Sequence, residues 1–492
     1  MSELGGFDPG PPPPPAVPRP AASVIYWRPG PRGAELYLVR RGASQRFAPG
    51  FSAFPGGRRD DQDDAIPVRA PGPAAPGDLA CAARELFEEV GVLAVTGEPP
   101  HPTALPGHRA RLLAGRASFA GLLAELGAEV DGARFTGAGR WVTPETYPLR
   151  FDAVNFLVEW RRHETPSVWP GELADGAWVP AAAALDEWSR GHRYLLPPNL
   201  WPVRVLARGP APDLEALRRP DPAAFRNEYQ QGIWQVPLRT PTLPPAVHTN
   251  CWVVDLGDRV AVVDPGSPHA EEQARLDRFL EILAGEGRPA REVWLTHGHA
   301  DHVGGVAPLA ARGLTVRAHR SIASRLPGVL FKPLREGEAL GGRWIVLFTP
   351  GHASDHVVFH DEETGALLAG DMLSTLSTVV IDPPEGDMAE YQRQLARLAG
   401  LGPGALFPAH GQPATDGPAA LRAAMAHRLE RERKILEALR APGTLGEITE
   451  RAYDDVPPAI WPLAERSGLA VLLKLAAQGQ AVERNGRWAL AG

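Results

Sequence analysis

Cysteine is scarce in this sequence, which has only two among 492 residues. Cys81 and Cys251 lie far apart and outside any CxxC pair, so neither a disulfide framework nor a cysteine-based zinc site is expected. No apolar run reaches the roughly 20 residues that a membrane-spanning helix needs. The amino-terminal stretch lacks the basic and then apolar pattern of a secretory signal. These absences predict a cytoplasmic protein with no membrane partner.

The sequence also lacks a strong charge of either sign, since its net charge is −7. A broad surface for binding polyanions is therefore not expected, although a local basic groove is compatible with this value. Hydrophobic residues make up 44% of the chain, as in ordinary globular proteins. A chain of this length exceeds what one hydrophobic core organises, so roughly two to four domains are expected.

Composition and patterning divide the chain into five segments, and the expected fold class is multidomain α/β. A proline-rich disordered tail is expected over 1–21, followed by an α/β domain over 22–208. The polar, proline-punctuated stretch 209–230 is typical of a linker. A second α/β domain is expected over 231–416. A small helical module is expected over 417–492.

The last segment has the pattern of a winged helix. Thr444 and Glu447 form a capping box that opens a helix, and Asn485-Gly486 marks the turn of a closing hairpin. Basic and acidic residues nearly balance in this segment, so sequence-specific DNA binding is not expected. We expect a structural cap beside the neighbouring domain.

The strongest motif is the sequence THGHADH at 296–302, which follows a predicted strand. Three later segments, each at the end of a predicted strand, also carry a histidine or an aspartate, namely His352, Asp371 and His410. Five histidines and two aspartates suit two zinc ions, because imidazole nitrogen is a preferred zinc ligand and a carboxylate can bridge two ions. The first set of expected ligands is His297, His299 and His352, the second is Asp301, His302 and His410, and Asp371 lies between them.

Two zinc ions at this motif predict hydrolysis. Zinc lowers the pKa of a bound water and polarises the scissile bond, so the reaction needs no protein nucleophile. We assign Asp301 a catalytic role as well as a ligand role. Asp264 ends an earlier strand before Pro265-Gly266 and is expected either to orient a ligand or to form a turn.

Residues from about 236 to 415 resemble the metallo-β-lactamase-fold hydrolases. That resemblance implies an αββα sandwich with the site at one edge of its sheets. It continues through His427-Arg428 and 431–436, which are similar to the winged-helix extension of lactamase-β-like proteins. The best-known member of that subgroup is a mitochondrial single-strand-specific endoribonuclease. Since neither a β-CASP cap nor a glutathione pocket is evident, the resemblance implies a hydrolase without fixing its ester.

A second motif is the sequence RELFEEVGV at 84–92, within a predicted helix over 79–90. Glu85, Glu88 and Glu89 then project from one side of that helix. Like charges at this spacing destabilise a helix unless a cation neutralises them. Carboxylates suit Mg²⁺ or Mn²⁺ bridging a diphosphate. A solvated acidic face is the alternative interpretation.

This second motif fits the helical half of the Nudix box, REUxEExGU, and Phe54-Pro55-Gly56-Gly57 supplies the glycine loop upstream. The two halves are further apart than the box allows, and Asp63 stands where the loop glutamate is expected. Residues 22–208 resemble the peroxisomal coenzyme A diphosphatase branch of Nudix hydrolases, which is known for an interrupted box. The matching stretches outside the box are 40–41, 47–50, 140–142, 150–152 and 195–198.

The Nudix resemblance implies an α/β/α sandwich, with Glu88 and Glu89 as catalytic residues. Arg40 is a candidate for a phosphate contact, with a plain surface arginine on a strand as the alternative. The cofactor-binding residues implied are Gly56, Gly57, Arg40 and Arg84.

Two functional hypotheses follow. The first is a dinuclear zinc hydrolase for a small thioester or phosphate ester, fused to a Nudix diphosphatase of coenzyme A or nucleotide type. The alternative is a zinc-dependent single-strand endoribonuclease whose Nudix half only binds a nucleotide or coenzyme A. Few basic residues flank the zinc motifs, with Arg428 or Arg431 as candidate phosphate contacts and Phe331 for base stacking. For the two arginines, an ordinary salt-bridged helix is the alternative interpretation. We therefore favour the small substrate and keep RNA as a possible partner.

Overall fold

The structure is a computed structural model that describes residues 14–491, except 46, 98, 99, 102, 146, 148 and 170. The chain divides into two compact units. The N-terminal unit reaches to Gln231, and the C-terminal unit begins at Gly232.

The N-terminal unit has a central sheet, with three helices inserted between its strands in sequence and three that follow them. Its strands are β1 (Arg19–Gly30), β2 (Gly33–Arg41), β3 (Ser52–Ala53), β4 (Gly56–Arg58), β5 (Val68–Arg69), β6 (Val130–Asp131), β7 (Thr136–Val142), β8 (Phe151–Glu159), β9 (Leu173–Pro180) and β10 (Asn227–Gln230). Its helices are α1 (Pro76–Val90), α2 (Leu105–Leu113), α3 (Phe119–Leu126), α4 (Ala181–Ser189), α5 (Pro197–Leu206) and α6 (Leu214–Arg218).

The main sheet of this unit has the order β3-β2-β1-β8-β7, with β4 paired to β1 and β9 paired to β2. Successive side chains of a strand point to opposite faces. Val24 and Tyr26 of β1 therefore pack in the same core as α1, whereas Ile25 and Trp27 pack with α4 and α5. The unit is an α/β/α sandwich, as the sequence predicts.

Helix α1 begins at Pro76 rather than at the predicted residue 79. Proline suits the first turn of a helix, because its missing N–H would have no partner there. The helix ends at Val90, and Gly91 follows with φ 73°, the left-handed conformation that glycine adopts without strain.

The predicted linker over 209–230 differs from the observed structure. This stretch contains α6 and β10, and it packs on the N-terminal unit. Leu217 is buried, and the ring of Phe225 stacks on Trp141 at a centroid distance of 4.7 Å. The polar composition of the stretch concealed these apolar contacts.

The predicted tail over 1–21 lies partly outside the described residues, which begin at 14. Its last part is not disordered, because β1 starts at Arg19. The first residues of β1 pair in parallel with the start of β8, where Arg19 lies opposite Phe151. The Arg150 guanidinium also donates to the Ala16 carbonyl at 2.8 Å.

The C-terminal unit begins with two sheets. The first contains β11 (Ile233–Arg239), β12 (His248–Asp255), β13 (Val260–Val263), β14 (Ala290–Trp294), β15 (Thr315–Ala318) and β16 (Phe331–Pro333) in that order. The second contains β17 (Ala339–Leu340), β18 (Trp344–Phe348), β19 (Val357–Asp361), β20 (Leu367–Ser374) and β21 (Leu406–His410) in that order. The helices are α7 (Ala270–Gly285), α8 (Ala300–Val303), α9 (Val306–Ala311) and α10 (Met388–Leu401).

The two sheets pack face to face between helices. Aromatic rings join their inner faces, with Trp294 against Phe359 and Trp252 against Phe407, each pair at 5.2 Å. Helices α7 and α9 share a core with the outer face of the first sheet, and α10 shares one with the second. This is the αββα sandwich that the family resemblance implies.

The remaining elements form a winged helix. They are α11 (Gly417–Ala438), α12 (Leu445–Ala452), α13 (Trp461–Ala477), β22 (Ala481–Arg484) and β23 (Arg487–Leu490). The predicted capping box is present at Thr444 and Glu447, and Asn485 and Gly486 form the hairpin turn with positive φ. In the described ranges, no helix combines the length and apolarity needed to cross a bilayer.

Candidate metal sites

The histidines and aspartates of the predicted zinc motif meet at one edge of the two sheets. THGHADH follows β14 and runs into α8, while Asp371 lies in β20 and His410 ends β21. His352 lies in the loop between β18 and β19. Since these strands end at the same edge, residues far apart in sequence become neighbours.

Three imidazole nitrogens converge on one point. His299 Nδ1 lies 2.9 Å from His297 Nε2 and 3.0 Å from His352 Nε2. A single proton on His299 can satisfy only one of these two acceptors. A metal ion accepts all three lone pairs, and the three residues form a group that could hold one.

A second group lies beside the first. His410 Nε2 is 3.3 Å from Asp301 Oδ2, and these two residues form with His302 a further group that could hold an ion. The Asp371 carboxylate spans both groups, since Oδ2 is 3.5 Å from His352 Nε2 and Oδ1 is 3.6 Å from His410 Nε2. The structure thus brings all seven predicted ligands together, with Asp371 between the two sets.

The other ring nitrogens of these histidines are fixed by hydrogen bonds. His352 Nδ1 donates to the Val380 carbonyl at 2.8 Å, and His410 Nδ1 donates to the His248 carbonyl at 3.0 Å. Each of these bonds sets the tautomer and leaves the Nε2 lone pair directed at the cluster.

Asp264 has the orienting role that was one of its two predicted alternatives. Its Oδ2 accepts from His302 Nδ1 at 2.9 Å, and its two oxygens also accept from the Thr296 N–H and hydroxyl at 2.8 and 2.7 Å. Asp264 is buried and has φ 49°, a strained conformation for aspartate. The surrounding hydrogen bonds hold it there.

The residues present fit a divalent metal. His302 Nε2 and Asp371 Oδ1 are buried, and neither has a hydrogen-bond partner among the described residues. Buried polar atoms are ordinarily paired, so two such atoms facing one cluster indicate a ligand. Imidazole nitrogens together with carboxylate oxygens are the donor set that zinc prefers.

The electrostatics of the cluster also suit metal binding. Burial, reinforced by the neighbouring histidines, lowers the pKa of His297 well below its ordinary value and that of His352 to about 4. Both rings are therefore neutral at physiological pH, the form that coordinates a metal. Burial also lowers the pKa of His302, but the carboxylates of Asp301 and Asp264 outweigh it and raise that pKa to about 10. These carboxylates favour positive charge at this point.

His356 supports the site and was not predicted from the sequence. Its buried ring accepts the Asp371 N–H at Nε2 at 3.0 Å, and its Nδ1 bonds the Thr349 hydroxyl at 2.8 Å. It therefore holds the backbone that presents the Asp371 carboxylate. Its place in the sequence, four residues after His352, does not distinguish a supporting role from the role of a metal ligand.

Gly266 permits a close backbone approach beside the motif. A Cβ atom at this position would lie 1.7 Å from the Asp301 carbonyl oxygen. Only glycine lets the loop after β13 pack against the start of α8, so this glycine sets the position of Asp301.

A cavity of about 710 Å³ opens over the cluster. His299, His352 and Asp371 lie among its lining residues. The remaining walls include the charged side chains of Glu385 and Arg466, together with largely apolar residues from the winged helix and from the segment before α10. They include Val379, Val380, Tyr453, Val456, Ile460 and Leu463. The winged helix therefore builds part of the site.

Two arginines of α11, which were candidate phosphate contacts, line the cavity, and both are hydrogen-bonded within the protein. Arg428 is buried and donates to the Val379 carbonyl, with its guanidinium 5.1 Å from the ring centroid of Tyr391. Arg431 is buried and donates to both oxygens of Asp455, at 2.6 and 3.0 Å. Both side chains brace the winged helix.

The predicted glutamates of the N-terminal unit lie together on α1. Arg84 is the centre of this group, because one of its terminal nitrogens donates to Glu85 at 2.7 Å and to Glu88 at 3.1 Å. Its other nitrogens donate to both oxygens of Asp63, at 2.8 and 3.0 Å. Asp63 is 1% exposed. Arg84, predicted to bind a cofactor, thus joins the inserted loop to the helix.

The glycine loop packs directly against these carboxylates. The Gly56 N–H donates to Glu89 Oε2 at 2.9 Å, and a Cβ at Gly57 would lie 2.5 Å from a Glu85 oxygen. Burial raises the pKa of Glu85 to about 7 and that of Glu89 to about 8. Two carboxylates with raised pKa values in one place favour an added cation.

Arg40 contacts a residue outside this carboxylate group. Its Nε donates to Asp175 on the neighbouring β9 at 2.8 Å, and both side chains are about half exposed. Arg41 is the more buried of the pair and donates to the Phe47 carbonyl at 2.8 Å. Its positive charge interacts with Glu89.

Comparison with known proteins identifies the C-terminal unit. The family described as the metallo-beta-lactamase superfamily matches residues 244–410, and the beta-lactamase associated winged helix domain matches 444–488. The lactamase-like protein vrtG of Penicillium aethiopicum is 32% identical over 224 residues, which cover 43% of this chain and 70% of that protein.

Two solved structures are also similar. A metallo-beta-lactamase family protein from Thermus thermophilus is 25% identical, with a TM-score of 0.46, over 53% of this chain and 98% of that one. A NUDIX hydrolase from Alicyclobacillus acidocaldarius is 31% identical, with a TM-score of 0.37, over 41% of this chain and 96% of that one. The match to the family and the similarity to the relative from Penicillium aethiopicum show that the chain belongs to the metallo-β-lactamase superfamily. It is a metal-dependent hydrolase with a C-terminal winged helix.

Proposed function

We propose that the C-terminal unit is a dinuclear zinc hydrolase that cleaves a small thioester or phosphate ester. The observation that carries this proposal is the cavity of about 710 Å³ directly over two adjoining groups of metal-binding side chains. Zinc, when bound, supplies an activated water and polarises the bond to be cleaved. His297, His299 and His352 would hold one ion.

The protein contributes a rigid frame and a partly dry environment. Asp301, His302 and His410 would hold the second ion, and Asp371 would bridge the two. Hydrogen bonds that the histidine rings donate to Asp264 and to backbone carbonyls fix the ring orientations before substrate arrives. Such preorganisation reduces the reorganisation needed in the transition state.

The size and chemistry of the cavity support a small substrate. Small-molecule sites are commonly about 300–1,000 Å³ and largely apolar, with a few polar groups that fix orientation. Here the polar groups are the candidate metal-binding residues together with arginines that contact acceptors within the protein, namely Arg325, Arg428, Arg431 and Arg466. The apolar ones include Leu243, Val379 and Ile460. A substrate with an apolar portion beside its scissile ester fits this division.

Ion pairing of Arg317 and Arg325, two of the basic side chains before His352, disfavours RNA as the substrate. Arg317 donates to Glu292 and Glu338, at 2.9 and 3.0 Å. Phe331, the candidate for base stacking, is partly buried against the core of the first sheet. An RNA track needs several basic side chains directed at phosphates and exposed aromatic faces.

We also propose that the N-terminal unit is a Nudix diphosphatase that uses Mg²⁺ or Mn²⁺ to cleave coenzyme A or a nucleotide. Glu85, Glu88 and Glu89 would bind the ion, with Glu88 and Glu89 closest to the chemistry. The ion pair between Arg84 and Asp63 supports this proposal. Asp63 stands where the Nudix box has its loop glutamate, and this ion pair joins the longer loop to helix α1. Gly56 and Gly57 have no side chain and so let the loop backbone pack directly against these carboxylates.

One experiment tests both activities in the full chain. The purified protein is incubated with coenzyme A thioesters, a phosphodiester, labelled single-stranded RNA, coenzyme A and nucleoside diphosphates, with Zn²⁺ or Mg²⁺. We expect zinc-dependent turnover of a thioester or phosphodiester that is lost in His299→Ala, and Mg²⁺-dependent turnover that is lost in Glu88→Gln. Robust RNA cleavage lost in His299→Ala, without thioester cleavage, would favour the endoribonuclease. Absence of any Mg²⁺-dependent diphosphatase rate would leave the N-terminal unit as a binding module.

A further inference from the structure

We propose that the winged helix positions the metal ligand His352, and that Ser467 of α13 is the positioning residue. This inference rests on the proposed metal-binding role of the histidine cluster. It assigns to the winged helix an effect on metal affinity, transmitted through the backbone of 379–382 (the strap). That role is additional to lining the cavity.

Two contacts link His352 to the winged helix, and the first joins this metal ligand to the strap. His352 Nδ1 donates to the Val380 carbonyl at 2.8 Å. This bond keeps the proton on Nδ1, so that Nε2 presents its lone pair to His299 Nδ1, 3.0 Å away. Loss of such an outer hydrogen bond typically weakens metal binding by about 10–100-fold. The position of the Val380 carbonyl therefore matters for the site.

The second contact joins the strap to the winged helix. The strap has no regular secondary structure, so its backbone groups need partners from elsewhere. The Ile381 N–H donates to Ser467 Oγ at 3.0 Å, and the Val379 carbonyl accepts from Arg428. These residues flank Val380 on both sides. The carbonyl that orients His352 is thus held by α11 and α13.

Two further observations show that the strap is fixed rather than loosely apposed. The Ile381 side chain is fully buried in the core that includes Leu472 of α13. Arg466 Nη1 lies 3.2 Å from Asp382 Oδ2. Residues on either side of Val380 therefore move only if the winged helix moves with them.

Removal of the Ser467 hydroxyl is the direct test, because it deletes the partner of Ile381 N–H at little change in volume. Ser467→Ala in the full chain should weaken zinc binding on the order of 10-fold, measured by competition with a chromophoric chelator. The absorption spectrum of the Co²⁺-loaded protein should change as well, since it reports coordination geometry. Asp382→Asn, which weakens the Arg466 contact from the strap side, should change both readouts in the same direction.

Thr449→Val is the matched control in the same domain. The Thr449 hydroxyl is buried and has no hydrogen-bond partner in the described part of the chain, so its loss should leave zinc affinity unchanged. Thermal unfolding of each metal-free variant separates loss of fold from loss of positioning. If Ser467→Ala does not fold, the partly exposed Asp382→Asn carries the test.

Each outcome of this experiment has a distinct meaning. Wild-type zinc affinity and an unchanged Co²⁺ spectrum in folded Ser467→Ala and Asp382→Asn would overturn the positioning role. Equal losses of affinity in Ser467→Ala and Thr449→Val would also overturn it, because general destabilisation then explains both. A wild-type chain that binds no zinc would instead overturn the proposed function.

Discussion

The two candidate metal sites of this chain differ in how their charges are balanced without a metal. In the N-terminal unit, Arg84 already contacts Glu85, Glu88 and Asp63, so part of the negative charge is neutralised within the protein. In the C-terminal unit, imidazole lone pairs converge, and His302 Nε2 and Asp371 Oδ1 have no hydrogen-bond partner among the described residues. The first site can exist as a folded structure without metal. The second is incomplete without it.

This difference shows that a carboxylate site and a histidine site have different structural requirements. A carboxylate site that binds a hydrated Mg²⁺ ion tolerates partial internal neutralisation, because metal and arginine share the charge. A histidine site for zinc needs each ring in one orientation, so its outer hydrogen bonds must be built in. Asp264 and the Val380 carbonyl supply such bonds here.

The largest effect that would sharpen the contrast is expected from substitution of the proposed zinc ligands. Replacement of His299 or Asp371 with alanine should abolish the hydrolysis catalysed by the C-terminal unit, because each contacts more than one member of the cluster. The Mg²⁺-dependent activity of the N-terminal unit should not change. Steady-state rates of both activities in the same preparation check this. Retention of zinc-dependent turnover near the wild-type rate would remove these residues from the site.

The next effect concerns the glutamates of α1. Glu88→Gln and Glu89→Gln should each cost several kcal/mol, about 2–4, of transition-state stabilisation in the diphosphatase reaction, because each removes a charge that binds the metal. The free energy of unfolding should hold or rise, since repulsion among the carboxylates is relieved. The ratio kcat/KM and chemical denaturation of the same variants give the two readouts. A variant that loses stability and keeps its rate contradicts the metal-binding role.

The ion pair between Asp63 and Arg84 should matter for stability more than an exposed pair does. Asp63→Ala leaves the largely buried Arg84 charge without its bidentate partner, and breaking a buried pair typically costs about 3–5 kcal/mol. Asp64→Ala is the control, because Asp64 pairs with Arg59 from an exposed position and should cost about 0–1 kcal/mol. Denaturant unfolding of the full chain, followed on the N-terminal transition, compares them. Equal losses from the two substitutions would contradict a structural role for the pair.

A smaller effect is expected from pH. Folding raises the pKa of Glu85 to about 7 and of Glu89 to about 8, mainly through burial, from about 4.3 in the unfolded chain. The folded state then binds more protons than the unfolded state, so metal-free stability should fall as pH rises from about 4.3 to about 8. Mg²⁺ should accordingly stabilise the N-terminal unit more at about pH 8.5 than at about pH 5. Thermal unfolding with and without Mg²⁺ at both values measures this, and equal shifts would be inconsistent with ionised carboxylates as ligands.

The sequence predicted which seven side chains the structure brings together, because they occur in one contiguous motif and in short segments at predicted strand ends. THGHADH carries four of the seven residues, and the other three lie in the short segments Gly351-His352, Gly370-Asp371 and Ala409-His410. Asp264 was left between two interpretations, because its contact with His302 depends on how β13 and β14 pair. Local pattern therefore identified the side chains of the cluster, whereas the contacts that support them depend on how the strands pair.

Contacts between distant segments were the part that the sequence did not predict. The linker expected over 209–230 is folded, because Leu217 and Phe225 find apolar partners that polar composition does not reveal. The bonds from α11 and α13 to the strap join residues that are far apart in sequence. No local periodicity or sequence motif predicts such contacts, since they follow from packing of the winged helix on the second sheet.

The central claim, that the histidine cluster holds two divalent ions for hydrolysis, is tested most directly by metal analysis of the purified full chain. After loading with Zn²⁺ and removal of the excess, we predict about two zinc ions per chain at the C-terminal site. Asp371→Ala should lower this number and abolish zinc-dependent hydrolysis in the same sample. A wild-type chain that retains no zinc, or an Asp371→Ala chain with full zinc content and unchanged hydrolysis, would contradict the claim.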